Sequence, residues 1–179
     1  MQADASRRTQ RVIPGAGPTE EDRRLYSALG ANAAKGVAVV TAHHGVWDNA
    51  VTVTDYLSVS YDPPTLLVSL YSLSRMAETV AEAGRWGLSV LAADQGAVAD
   101  ALGEQGSPLV GLLGQIPHFR RDPDGPALID GALAWFELRT ANTVEAATHT
   151  LVVGEVVAMG TASSPLARPL IRFRSEYLR

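Results

Sequence analysis

The chain has 179 residues, of which 46% are apolar and 19% charged, enough material for one domain with a sizeable core. A net charge of −4 and a pI near 5.5 offer no basic field to nucleic acid or to an anionic membrane surface. The lack of cysteine removes disulfides and thiolate metal sites, and no apolar run approaches the roughly 20 residues of a membrane span.

Residues 1–18 are polar and rich in Arg, Gly and Pro, the composition of a mobile N-terminal arm. Gly15-Ala16-Gly17 is not a phosphate loop, because no strand precedes it. The segment before the domain also lacks the apolar core of a signal peptide, so a soluble cytoplasmic protein is expected. One domain spans 19–179. Its first helix is predicted at Thr19, with Asp22 in the capping-box position and an apolar stripe at Leu25, Ala28 and Leu29.

Gly36 opens a strand over Val37–Ala42, and His43-His44-Gly45 reads as the following turn. Adjacent strand residues point to opposite faces, so the two histidines do not share a metal ion, and no metal site is expected. The next stretch is the most informative. From Ala50 to Ser60 the chain alternates as one long strand, with Val51, Val53, Leu57 and Val59 on one face and Thr52, Thr54, Tyr56, Ser58 and Ser60 on the other. A solvated face normally carries Lys and Glu. A row of hydroxyls fits a ligand-binding surface equally with a set of good strand formers.

Tyr61-Asp62-Pro63-Pro64 marks a turn, and Thr65–Leu70 a buried strand. Ser74 can cap a helix over Arg75–Ala83 that ends at Gly84, with Met76, Thr79, Val80 and Ala83 facing inward. Ser72, Ser74 and Arg75 around that N-terminus suit either an anion or a plain cap beside a solvent-facing arginine. Trp86–Leu91 is a further strand, and Asp94 a cap for a short helix through Leu102. Gly103–Pro126, with a short apolar segment at Leu109–Leu113, either covers a site or merely connects. Strands follow at Ala132–Arg139, after an Asp130-Gly131 turn, and at His149–Met159. Ser163–Pro169 links to a last strand at Leu170–Phe173. The fold class is mainly β with α, a closed or nearly closed barrel with flanking helices.

This order of motifs resembles the flavin-reductase-like proteins with an FMN-binding split barrel, the reductase components of two-component flavin monooxygenases. The resemblance runs from about Leu25 to Tyr177. It rests on Gly36-Val37-Ala38-Val39-Val40-Thr41, Ser58-Val59-Ser60-Tyr61-Asp62-Pro63-Pro64, Ser74-Arg75, Leu88-Ser89-Val90-Leu91, Gln95, Gly131-Ala132-Leu133-Ala134, His149-Thr150, Gly154-Glu155-Val156 and Pro169-Leu170 before Tyr177. It implies a homodimer binding FMN or FAD near its interface. The implied reaction is hydride transfer from NADH or NADPH to flavin, for a partner monooxygenase. Thr52, Thr54, Asp55, Tyr56, Ser58 and Ser60 would line the flavin ring and ribityl chain, with Ser89 nearby. Ser74 and Arg75 would meet the flavin phosphate, and His149, the implied catalytic residue, would stand at the nicotinamide. A flavoprotein that is no reductase, or a flavin-free binding protein on the same barrel, are the alternatives.

Five positions depart from the pattern. Asp55 stands where relatives usually carry a small polar residue, Met76 replaces a Thr or Ser, Ser89 replaces an Asn, and Ala147-Thr148-His149 replaces Gly-Asp-His. A carboxylate set about 4 Å from a phosphate costs on the order of 4 kcal/mol per unit charge pair at an effective dielectric near 20. Asp55 is therefore expected to meet ribityl hydroxyls or to form an ion pair.

Overall fold

The computed structural model describes residues 11–13, 15, 17–103 and 111–178. Most of the N-terminal arm and the first part of the Leu109–Leu113 segment lie outside these residues. The domain begins with α1 (Glu20–Gly30). Thr19 accepts a hydrogen bond from the Asp22 amide, and the Asp22 carboxylate accepts one back from the Thr19 amide, the reciprocal bonds of a capping box. Of the expected apolar stripe Leu25 is half-buried while Ala28 and Leu29 are exposed, and Asp22 is the only buried residue of the helix.

The frame is a seven-stranded antiparallel sheet in the order β3-β2-β6-β9-β10-β5-β4. Its strands are β2 (Ala38–His44), β3 (Trp47–Val53), β4 (Tyr56–Tyr61), β5 (Pro64–Tyr71), β6 (Arg85–Val90), β9 (Ala134–Ala146) and β10 (His149–Gly160). Two small sheets join β1 (Lys35–Gly36) to β11 (Ile171–Phe173) and β12 (Glu176–Leu178), and β7 (His118–Phe119) to β8 (Leu128–Ile129). Helix α2 (Arg75–Ala83) is capped by Ser74 and closed by Gly84 at φ 64°. Helix α3 (Gly96–Gly103) starts two residues after Asp94. Asp94 is not its cap. Gln95 precedes the helix, and its side chain accepts from the Ala92 amide and donates to the Asp130 carbonyl.

The largest correction falls on the long strand expected over Ala50–Ser60. It is two strands, β3 and β4, at opposite edges of the same sheet, joined by Thr54 and Asp55 alone. Consecutive Cα atoms lie 3.8 Å apart, so Val53 and Tyr56 are at most about 11 Å apart. The sheet must therefore curve enough to bring these two strand ends together, although β3 and β4 do not pair. The junction also shifts the facing. Val51 and Val53 turn inward from β3, whereas Tyr56 turns inward from β4 and leaves Leu57 and Val59 about half exposed. An alternation interrupted only by Asp55 in sequence hides this change of face.

Two cores pack on the sheet. The first holds Val40, Val68, Trp86, Leu88, Leu138 and Val152 under α2. The second holds Val39, Leu91, Leu102, Ile116, Ile129 and Leu170 beside α3. Strand β2 feeds both, with Ala38 and Val40 to one and Val39 to the other. Burying each such aliphatic side chain contributes about 1.5–3 kcal/mol. The connection after α3 is fastened by charge: buried Glu137 pairs with Arg85 and with Arg121 at 3.1 Å, and Arg120 bonds Asp48 at 2.5 Å.

Candidate functional site

The junction between the two edge strands forms one wall of a cleft of about 620 Å³. Thr54 and Asp55 line it, and the Asp55 carbonyl accepts from the Ser69 amide at 2.9 Å, which ties the junction to β5. His149 lines the opposite side as the first residue of β10. Its Nδ1 shares a 3.1 Å hydrogen bond with the Thr148 hydroxyl, and its ring stands edge-on to Tyr71 at 5.9 Å between centroids. The imidazole is exposed, so the alternative of a core histidine does not hold. The turn before it contains Ala147 at φ 55°, the conformation that glycine adopts without strain. The position where the resemblance calls for Gly is thus the one whose backbone favours it.

The cleft is cationic. Lys35, Arg172 and Arg174 line it against a single carboxylate, Asp55. Asp55 is paired with Lys35 at 2.5 Å, so the ion-pair expectation holds with a lysine as partner. Arg174 and Ser175 take φ of 50° and 67° at the β11–β12 turn. The turn is pinned to the end of α1, where the Arg174 amide donates to the Ala31 carbonyl at 2.8 Å and its Nε to the Asn32 side chain at 2.9 Å.

Thr54 and Arg172 also line a neighbouring compartment of about 510 Å³, with Thr52, Ala99, Asp100 and Tyr177. The Thr52 hydroxyl donates to the Ala99 carbonyl at 2.7 Å. Burial pushes the Tyr177 phenol pKa up, and the negative charge of nearby Asp100 adds to the rise.

The other nominated residues lie elsewhere. The Tyr56 ring packs on the first core, where burial raises its phenol pKa. Its hydroxyl would stand 2.6 Å from a Cβ at position 36, so Gly36 is needed there. Ser58 is exposed on the edge strand, and Ser60 closes its own turn through Asp62. Ser89 is fully buried and accepts from the Ile129 amide at 3.0 Å. Ser74 caps α2, and Arg75 lines a separate cleft of about 380 Å³ with Trp47, His44, Glu78 and Glu82. Ser72, just before that cap, connects to the first cleft: its amide donates to the Thr148 carbonyl, and its hydroxyl bonds Thr150. His43 and His44 diverge toward Asp48 and Glu82 respectively.

The structure therefore gathers Thr54, Asp55 and His149, with Thr52 adjacent, and leaves Tyr56, Ser58, Ser60 and Ser89 outside the cleft. Lys35, Ser69, Arg172 and Arg174 were not nominated from sequence. The available signal was the alternation of arginines in Ile171-Arg172-Phe173-Arg174.

The model of the flavin reductase like domain matches residues 30–179. The chain belongs to the flavin reductase-like family. It is 33% identical over 150 residues to the NADH-dependent flavin reductase StyB of Pseudomonas fluorescens, covering 80% of this chain and 82% of that protein. It is 35% identical over 145 residues to the NADH-using FMN reductase SmoA of Agrobacterium fabrum, covering 81% and 78%. Among solved structures, BorF, the flavin reductase component of a bacterial two-component tryptophan halogenase, superposes with a TM-score of 0.80 at 31% identity, over 88% of this chain and 97% of its own. The styrene monooxygenase flavin reductase of Pseudomonas putida S12 gives 0.75 at 32% identity, over 86% and 95%. The volume of the cleft lies within the usual range for cofactor sites, with hydroxyls and cations on its walls.

Proposed function

We propose that this protein is an NADH-dependent flavin reductase that supplies reduced FMN or FAD to a partner monooxygenase. The observation that carries this reading is the meeting of Thr54 and Asp55 with His149 in one cationic cleft, although they are far apart in sequence. A bound flavin supplies the hydride-accepting ring, and the protein supplies position and electrostatics. Thr54, Ser69 and the Asp55 backbone hold the flavin ring and ribityl chain. His149, steadied by Thr148, orients the nicotinamide. The N-terminus of α2, with Ser74 and Arg75, meets the flavin phosphate, supported by its link to the cleft through Ser72. Steady-state NADH oxidation that depends on added flavin tests the reading. Flavin binding without NADH turnover would favour a flavoprotein of another redox role.

The bent sheet is read as a split barrel, and the working unit as a homodimer. The register supports a dimer face. Tyr56, Val68 and Val152 stand in one cross-strand row on the core side, and Leu57, Leu67 and Val153 form the adjacent row on the outer side. Leu57 and Val59 are 52% and 51% exposed there, an apolar sheet face at an uncovered edge. Leu57→Glu should convert a dimer to monomers in light scattering. A wild-type monomer at micromolar concentration would remove this part of the proposal. No described helix is long and apolar enough to cross a membrane, and the cytoplasm suits a protein that draws on NADH.

A further inference from the structure

The chain carries a net charge of −4, yet the His149 cleft sets Lys35, Arg172 and Arg174 against Asp55 alone. Lys35 is matched by Asp55. Among the described residues neither Arg172 nor Arg174 makes an ion pair. Both are held in place: the left-handed turn that carries Arg174 is fastened to Ala31 and Asn32, and Arg172 is paired within β11 between β1 and β12. Two guanidinium groups without an ion-pair partner, one on β11 and one on the adjoining turn, form a forked donor set suited to phosphate oxygens. A non-glycine pair at positive φ is strained, and strain retained beside a cleft fits a binding role.

Arg172 further divides two spaces. It lines the His149 cleft of about 620 Å³ and the neighbouring compartment of about 510 Å³. A mononucleotide has nothing to place in the second. That compartment holds the Tyr177 ring, with Arg172 5.9 Å from its centroid, and the Asp100 carboxylate beside it. The Asp100 carboxylate has lone pairs for ribose hydroxyls, and Tyr177 gives an adenine ring an aromatic neighbour.

We propose that Arg172 and Arg174 grip the diphosphate of an adenine dinucleotide, NADH or FAD, with its adenosine end in the Tyr177–Asp100 compartment. The proposal rests on the reductase reading for the position of the redox end in the His149 cleft, and it adds the residues that hold the other half.

ADP-ribose carries the diphosphate and the adenosine but no redox ring, and it is the probe. With FMN as the flavin, it should compete with NADH in the wild-type protein. Arg172→Gln should raise the inhibition constant and the KM for NADH about tenfold, with Arg172→Lys between the two and kcat nearly unchanged. Displacement of FAD by ADP-ribose, without competition against NADH, would assign the diphosphate to FAD. If ADP-ribose neither inhibits nor displaces FAD in the wild-type protein, the proposal is overturned even though NADH oxidation proceeds. A protein that oxidises no NADH at all would sink the reductase reading instead. Calorimetric titration with ADP-ribose would then still decide the compartment. Should Arg172→Gln fail to fold, Tyr177→Ala in the same titration keeps the test open, and undiminished binding there counts against the proposal.

Discussion

Two clefts of this protein each present arginine, and they are built in different ways. Around Arg75 the cation stands at the start of a helix, next to Ser74, and its cleft also contains Glu78 and Glu82. Around Arg172 and Arg174 the cations stand on a strand and its turn, with Asp55 as the one carboxylate. The first region offers backbone N–H groups and a helix dipole, worth about 0.3–1 kcal/mol to an anion at the surface. The second offers side-chain charge in excess. A local motif, Ser-Arg before a helical stripe, picks out the first. The second exists only because β11, β1 and the β3–β4 junction meet in space. On the proposed reading, the first takes one phosphate and the second a diphosphate.

Arg75→Ala should break that division most sharply. It is expected to weaken FMN roughly tenfold or more, the worth of a charge-assisted hydrogen bond, and to leave riboflavin, which has no phosphate, unchanged. The KM for NADH should not move. Equal weakening of FMN and riboflavin in fluorescence titrations would take the phosphate from this helix.

Asp55→Asn sharpens the other side. Removing the carboxylate frees Lys35 and leaves the cleft with uncompensated cations. The KM for NADH should fall about threefold at low ionic strength, and the change should fade as salt screens exposed charges. A rise in KM would mean that Asp55 touches the dinucleotide directly.

The smallest effect lies outside both clefts. Bonds from the Thr19 hydroxyl and amide and from Arg11 hold the Asp22 carboxyl at about 2. An unfolded Asp titrates near about 3.9. The pKa is depressed on folding, so the stabilisation is present above the unfolded value and is lost as pH falls from about 4 through about 2. The melting temperatures of the wild type and Asp22→Asn should therefore differ at neutral pH and converge in acid. A gap that persists below about pH 2 would contradict this assignment.

Much of the fold was legible in sequence because local rules decided it. The capping box at Thr19 and Asp22, the Ser74 cap and the Gly84 stop all stand as read. So does the start of β10 at His149. The Ala50–Ser60 stretch shows where local reading fails. Its alternation is broken only by Asp55 on the apolar face, and a change of sheet edge at Thr54-Asp55 reverses the facing, which a period of two does not record. The same event explains the divided fate of the hydroxyl row. Thr52 and Thr54 lie on β3 and at the junction, beside the clefts. Tyr56 turns into the core, and Ser58 and Ser60 follow the opposite edge away. Ser89 was read beside the cofactor, but its hydroxyl is taken up by the Ile129 amide in the second core. Lys35, Arg172 and Arg174 were illegible for the converse reason: each is an ordinary charged residue until tertiary contacts bring them together.

The central claim is that NADH meets the flavin in the cleft shared by Thr54, Asp55 and His149. Single-turnover reduction of bound FMN by NADH, in the wild type and in His149→Ala side by side, tests it most directly. The account predicts rapid reduction in the wild type. In the variant it predicts a specificity constant for NADH lower by roughly tenfold or more, with FMN affinity nearly unchanged. Equal reduction kinetics in the two proteins would contradict it and place the hydride donor elsewhere.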